Sequence, residues 1–180
     1  MMLQLLDTDI KQFQSLICCK IGLLGSTSLH VDHGYIQSLE MNLLISSGKS
    51  NFLFKCDYKI GFFETEAGEV FYNYRIEKDI TDIQYRKSTV AFNTSEVLQI
   101  DIYGRKFDAN EFISYPSLYE KVKGQKSTDD VFFFRCNDGD GFIIAFHPLM
   151  PRIEVYFSKT KMESFWNEYK DKYELHYTLT

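Results

Sequence analysis

Residues 131–136 read VFFFRC, 137–141 NDGDG, 142–147 FIIAFH and 152–157 RIEVYF. The runs flanking NDGDG are apolar at nearly every position. A strand with one wet face alternates apolar and polar side chains, whereas a strand covered on both faces does not. The stretch therefore predicts a hairpin in the middle of a sheet, with something packed above and below it. Its tip is made of Asn, Asp and Gly, residue types that tolerate the positive φ of tight turns.

The cover is expected from the segment that follows. A helix starting at Ser158 or Thr160 puts Met162, Phe165, Trp166, Tyr169 and Tyr173 on one stripe. Lys161, Glu163, Asn167, Glu168, Lys170 and Asp171 fall on the other face. Burying that stripe stabilises the pair of layers by about 1.5–3 kcal/mol per large side chain. Leu175, Tyr177 and Leu179 then suggest a last strand.

Upstream, the spacing of Ile10, Phe13, Leu16 and Ile17 predicts a helix over residues 8–19, capped by Thr8 or Asp9. A period of two runs from Tyr35 to Ile45, from Phe52 to Phe62 and from Val70 to Ile76. Short polar turns at 46–50 and 64–69 would join these three strands as a meander. Residues 79–94 are less regular, with short strands suggested around Ile83 and Tyr85 and over Thr89–Phe92. Val97–Tyr103 reads as a strand with Leu98, Ile100 and Ile102 inward. Asp108 and Glu111 form a capping box for a short middle helix from Ala109, and Pro116 ends it or restarts a second one through Val122. Residues 124–130 read as a polar loop. The expectation is one α+β domain over residues 1–180. It has an antiparallel meander sheet, an N-terminal helix, a short middle helix, and a C-terminal amphipathic helix packed on the sheet.

Composition agrees. There are 16 Phe and 12 Tyr, residues that favour strands, and only 3 Pro, so long proline-rich linkers are not expected. A chain of 180 residues buries about 70% of the surface its unfolded form exposes, enough to fold without metal or disulfide. Net charge is −5, with nine basic and eleven acidic residues in positions 1–90 and eleven and fourteen in 91–180. No basic stripe exists to displace counterions, so nucleic acid is not the expected partner. Cys18, Cys19, Cys56 and Cys136 show neither CxxC nor zinc spacing and read as reduced, mostly buried thiols of a cytoplasmic protein. The first twenty residues lack the charged start and apolar run of a secretory signal, and Ile17–Leu24 is too short to span a membrane.

Several short runs invite a chemical reading. His30-Val31-Asp32-His33 offers the ligand types of zinc or iron, but His147 and His176 are the only other imidazoles and each stands alone. A polar loop between the first helix and the first strand accounts for the run. The NDGDG tip resembles part of a calcium loop, yet the twelfth-position Glu is replaced by His147, and a turn explains the same residues. Gly48-Lys49-Ser50 lacks the upstream Gly of a phosphate loop, where Leu43 stands. Cys136 with His147 could form a thiol–imidazole pair across the hairpin, but Asp138 beside it weakens a thiolate. Tyr58, Tyr72, Tyr74, Tyr103, Tyr115 and Tyr119 would line a core, a cavity or an interface.

Acidic residues crowd the strand connections: Glu64, Glu66 and Glu69 in one turn, Asp129 and Asp130 before the hairpin, Asp138 and Asp140 at its tip. Most charged turns are only solvated. As a surface, these would select a basic protein partner. The expected function is a non-enzymatic cytoplasmic binding protein, in its sharpest form a toxin-neutralising immunity protein, with no cofactor and no metal. The alternatives are a ligand-binding barrel with an aromatic cavity and, behind it, a metal-dependent hydrolase using His30, Asp32 and His33.

Overall fold

In a computed structural model, residues 5, 7–40, 42–48, 50–60, 70–78, 83–105, 128–146 and 152–180 are described. They form an α+β fold of antiparallel strands. The expected middle helix, the loop with Glu64, Glu66 and Glu69, and residues Lys49, Tyr115, Tyr119 and His147 lie outside the described residues.

The strands are β1 (Leu23–Ser26), β2 (Leu29–Asp32), β3 (Tyr35–Ser38), β4 (Asn42–Ser46), β5 (Asn51–Ile60), β6 (Val70–Lys78), β7 (Ser88–Ala91), β8 (Val97–Arg105), β9 (Thr128–Cys136), β10 (Gly141–Phe146), β11 (Ile153–Tyr156) and β12 (Tyr173–Leu179). They make two sheets instead of the expected one. The first has order β6-β5-β4-β1-β7, and the second β12-β8-β9-β10-β11-β3-β2. The meander is present as β4-β5-β6, but it belongs to the smaller sheet. The apolar hairpin β9–β10 sits at the middle of the larger one, as its unbroken hydrophobicity requires.

Each face of that hairpin has its own cover. Phe132, Phe134, Phe142, Ile144 and Phe146 face the smaller sheet and meet Leu43, Ile45, Phe52 and Phe54 in the main core. On the opposite face, Val131, Ile143 and Ala145 pack under α2 (Lys159–Tyr169) through Phe165, with Met162, Trp166, Tyr169 and Tyr173 around it. Ser158 caps this helix, its Oγ accepting from Lys161 N–H at 3.3 Å.

Helix α1 spans Asp7–Gln14, shorter than expected. Asp7 and Asp9 lie in its first turn, where the partial positive charge of the helix start favours carboxylates. Phe13 reaches both sheets: its ring stacks on Phe132 at 4.6 Å and meets Phe54 edge-on at 5.2 Å. Asp9 is buried and accepts from Ile76 N–H on the edge strand β6. The chain leaves the helix through turns that end at Cys18, with φ of 61°.

Other departures have local causes. The Tyr35–Ile45 run is two strands in two sheets. The chain crosses between them at a buried polar corner, where Ser26 Oγ and Ser38 Oγ lie 2.7 Å apart and Ser38 donates to Asn42 O at 2.6 Å. Residues 23–32 hold β1 and β2, so His30 and Asp32 lie on a strand and not in the expected polar loop. Ile83–Arg86 is a 3-10 turn, not a strand. Leu98 points to solvent at 51% exposure because the β8–β9 register shifts between Val97 and Gln99, so Val97 takes the inward place. No helix among the described residues is long and apolar enough to cross a membrane.

Candidate functional site: a cleft at the hairpin tip

The tip that joins β9 to β10 is a tight turn. Cys136 N–H donates to Asp140 O at 2.9 Å, and Gly139 N–H donates to Cys136 O at 3.2 Å. Gly139 holds φ of 85°, a conformation that residues with a Cβ rarely adopt. Asp138 turns back on its own loop, Oδ1 accepting from Asp140 N–H at 3.0 Å. This is an Asx turn, and it gives Asn137–Gly141 a complete explanation without a cation. Among the described residues, no three His, Cys, Asp or Glu side chains gather to hold a metal.

Beside the tip lies a cleft of about 330 Å³. Three distant segments build it. The 92–95 loop gives Phe92, Thr94 and Ser95; the hairpin gives Cys136, Asp138 and Asp140; the start of α2 gives Phe157, Lys159 and Met162. The loop is pinned from both sides. Thr94 N–H donates to Ile21 O and Ile21 N–H to Thr94 Oγ1, while Asn137 N–H donates to Glu96 O at 3.0 Å. Phe92 meets Phe142 and Phe157 edge-on, at 5.1 and 5.3 Å. Buried Phe92 and half-buried Phe157 thus line the cleft together with the exposed Asp138, Asp140 and Lys159.

The electrostatics argue against a thiol nucleophile. Burial pushes the Cys136 thiol up, and the carboxylates of Asp138 and Asp140 push it further, against contacts from Ser95 and Thr94. Such a thiol holds its proton at neutral pH. Asp138 goes the other way: the Ser95 hydroxyl first, then the Asp140 N–H, hold its carboxyl below the usual range. Ser95 Oγ is itself buried.

The expected site residues divide into three groups. Asp138 and Asp140 are exposed at the cleft rim. Glu64, Glu66 and Glu69 lie outside the described residues. Asp129 and Asp130 are not in a loop: both are inside β9, each 1% exposed, so they form no part of an exposed acidic surface. The β8–β9 register shifts between Tyr103 and Gly104, beside the stretch of β9 that holds both aspartates. Asp129 accepts from Leu5 N–H at 2.8 Å and meets His176 Nδ1 at 2.6 Å.

His30 and Asp32 lie on the edge strand β2 and His33 in the turn after it, all three exposed. Asp32 Oδ1 accepts from His33 N–H at 2.7 Å. Among the described cysteine side chains, Cys136 is buried as expected, Cys19 is intermediate and Cys18 is exposed, which corrects the expectation for Cys18. Phe92, Thr94, Ser95, Phe157 and Lys159 were not marked by the sequence. No local pattern marks them, because they come together only where three separate segments converge.

Comparison with protein-family models, with curated proteins and with solved structures finds no match.

Proposed function

We propose that the chain is a non-enzymatic protein-binding protein that holds a basic partner at the β9–β10 tip, in the manner of a toxin-neutralising immunity protein. The observation that carries this reading is the cleft, lined by Phe92 and Phe157 together with the exposed carboxylates of Asp138 and Asp140. A desolvated aromatic patch supplies binding energy, and charges at its rim select the partner and speed its approach. The net charge of −5 favours the same kind of partner. Burial and the neighbouring carboxylates raise the Cys136 thiol, which argues against its use as a nucleophile in this cleft.

The barrel alternative has less support. Phe13, Phe54, Phe132, Phe134, Phe142 and Phe146 fill the space between the sheets with rings in mutual contact.

The test is calorimetric titration of the chain with the purified product of the neighbouring reading frame, beside the Asp138→Lys/Asp140→Lys variant. The reading expects binding by the native chain and at least about a tenfold loss in the variant, with an unchanged circular dichroism spectrum. Equal affinity of the two forms, or no binding by the native chain, removes it.

A further inference from the structure

Cys18 and Cys19 are consecutive, and Cys18 is the one non-glycine with positive φ among the described residues, at 61°. A side chain held there is strained and persists only where its surroundings enforce it. The enforcement is visible. Cys18 N–H donates to Val97 O at 2.8 Å, and Val97 N–H donates to Cys19 O at 2.9 Å, so one residue of β8 grips both cysteines. Cys18 is exposed and Cys19 half-buried, its Sγ 3.5 Å from Ser15 O. The next residues continue the grip: Lys20 bridges Glu96, and Ile21 exchanges hydrogen bonds with Thr94. Residues 18–21 therefore carry segment 94–97, which supplies Thr94 and Ser95 to the cleft wall.

We infer that Cys18 and Cys19 form a reversible oxidation site that closes to a vicinal disulfide by exchange with a small-molecule disulfide, and that closure loosens the 94–97 wall of the cleft. The site rests on none of the partner reading. Cys18, being exposed, is the attacking sulfur. Its thiolate attacks one sulfur of RSSR, the S–S bond breaks and RS⁻ leaves. The Cys19 thiolate then attacks Cys18 Sγ and expels the second RS⁻. Two protein thiols are oxidised, one disulfide is reduced, and the two protons end on the released thiols.

The product is easily reversed. Neighbouring Cα atoms across a trans peptide sit about 3.8 Å apart, short of the about 4.4–6.8 Å that ordinary disulfides span. A bond closed over that distance is strained, and strained disulfides are the readily reduced, regulatory ones. Closing the ring also re-sets the backbone torsions of Cys18 and Cys19, which orient the Cys18 N–H and the Cys19 carbonyl that bond Val97.

The test uses the full chain, oxidised glutathione, alkylation and tryptic digestion. Cleavage at Lys11 and Lys20 releases Gln12–Lys20, which holds both cysteines and no other. After oxidant, this peptide is expected unalkylated and lighter by two hydrogens, and dithiothreitol restores the dithiol. Cys19→Ser keeps a glutathione on Cys18 that the native chain does not accumulate. Alkylation of both cysteines after oxidant, or stable glutathione on the native chain, overturns the site. For the wall, amide exchange at Val97 and Thr94 is expected to rise at least about tenfold on oxidation, with Phe132 and Phe134 unchanged. Unchanged exchange at Val97 and Thr94 overturns the coupling to the cleft.

Discussion

His176 Nδ1 and Asp129 Oδ1 lie 2.6 Å apart, so the edge strand β12 is tied to β9 across the intervening β8. The same carboxylate accepts from Leu5 N–H at 2.8 Å through its other oxygen. One buried group therefore joins the start of the described chain, the middle of the larger sheet and its last strand. Asp129→Ala leaves a buried N–H and an imidazole without this acceptor, each omission costing about 1–3 kcal/mol. Urea unfolding of Asp129→Ala, His176→Ala and the double variant is expected to show non-additive losses, since the two residues touch. Additive losses would mean the pair contributes nothing beyond its separate side chains.

A second buried acid gives a pH dependence. Asp101 is 3% exposed, and burial alone would raise its pKa. Hydrogen bonds from Arg135 Nε at 2.7 Å, Gln99 Nε2 at 2.7 Å and Thr178 Oγ1 at 2.9 Å outweigh that and hold it below the ordinary value. A group depressed in the folded state stabilises the fold above its unfolded pKa, about 3.9 for Asp, and loses that contribution as pH falls through the folded value. Stability measured by urea midpoint should therefore fall below about pH 4, and Asp101→Asn should flatten that part of the profile. An equal slope in both forms would assign the acid loss elsewhere.

How far the sequence could be read follows from the range of the interactions involved. The β9–β10 hairpin, α2 with its Ser158 cap and Phe165 stripe, and the β4-β5-β6 meander are written in local periodicity, and all three are present. The split into two sheets is not local. It depends on the Ser26, Ser38 and Asn42 corner, whose members lie on three strands, and the Tyr35–Ile45 alternation runs through the crossing without a break. Leu98 shows the same limit: a one-residue bulge inverts a face without changing the pattern. The cleft was half legible. Asp138 and Asp140 stood out as a charged turn, but Phe92, Ser95 and Phe157 meet them only because three segments converge. Asp129 and Asp130 misled because charge in a sequence reads as exposure, whereas both are buried in β9, Asp129 against an imidazole and an amide.

The joint between β3 and α2 has little tolerance. Gly34 turns the chain from β2 into β3 at φ of 75°, and its carbonyl accepts from Phe157 N–H at 3.0 Å and Ser158 N–H at 3.3 Å. A Cβ at Gly34 would run into Ser158 Oγ and Cβ, the atoms that cap α2. Gly34→Ala thus combines backbone strain with a displaced cap and is expected to cost more than about 1 kcal/mol. Gly48→Ala is the control: it shares the positive φ, at 78°, but nothing lies within 4 Å of the added carbon. The Gly34 variant should lose more stability by thermal melt than the Gly48 variant; equal losses would leave backbone strain as the whole effect.

The last prediction concerns two tyrosines on the same carboxylate. Tyr35 Oη donates to Glu154 Oε1 at 2.7 Å and Tyr156 Oη to Glu154 Oε2 at 2.6 Å, with Glu154 5% exposed. Burial first, then the hydrogen bond to Glu154, then its negative charge push both phenols above the ordinary value. A phenol whose folded pKa is raised stabilises the fold below its unfolded pKa, near about 10, and that contribution is lost as pH climbs towards the folded value. Spectrophotometric titration should show Tyr35 and Tyr156 silent while exposed tyrosines ionise, then appearing together as the fold is lost. Glu154→Gln removes the charge, keeping an acceptor oxygen for one hydroxyl and presenting an NH2 donor to the other, so the two phenols should move towards ordinary values with the fold retained below pH 9 or so, about a unit under the ordinary phenol value. Tyrosines that titrate alike in the native chain and in Glu154→Gln would show that burial alone, without the shared carboxylate, sets their ionisation.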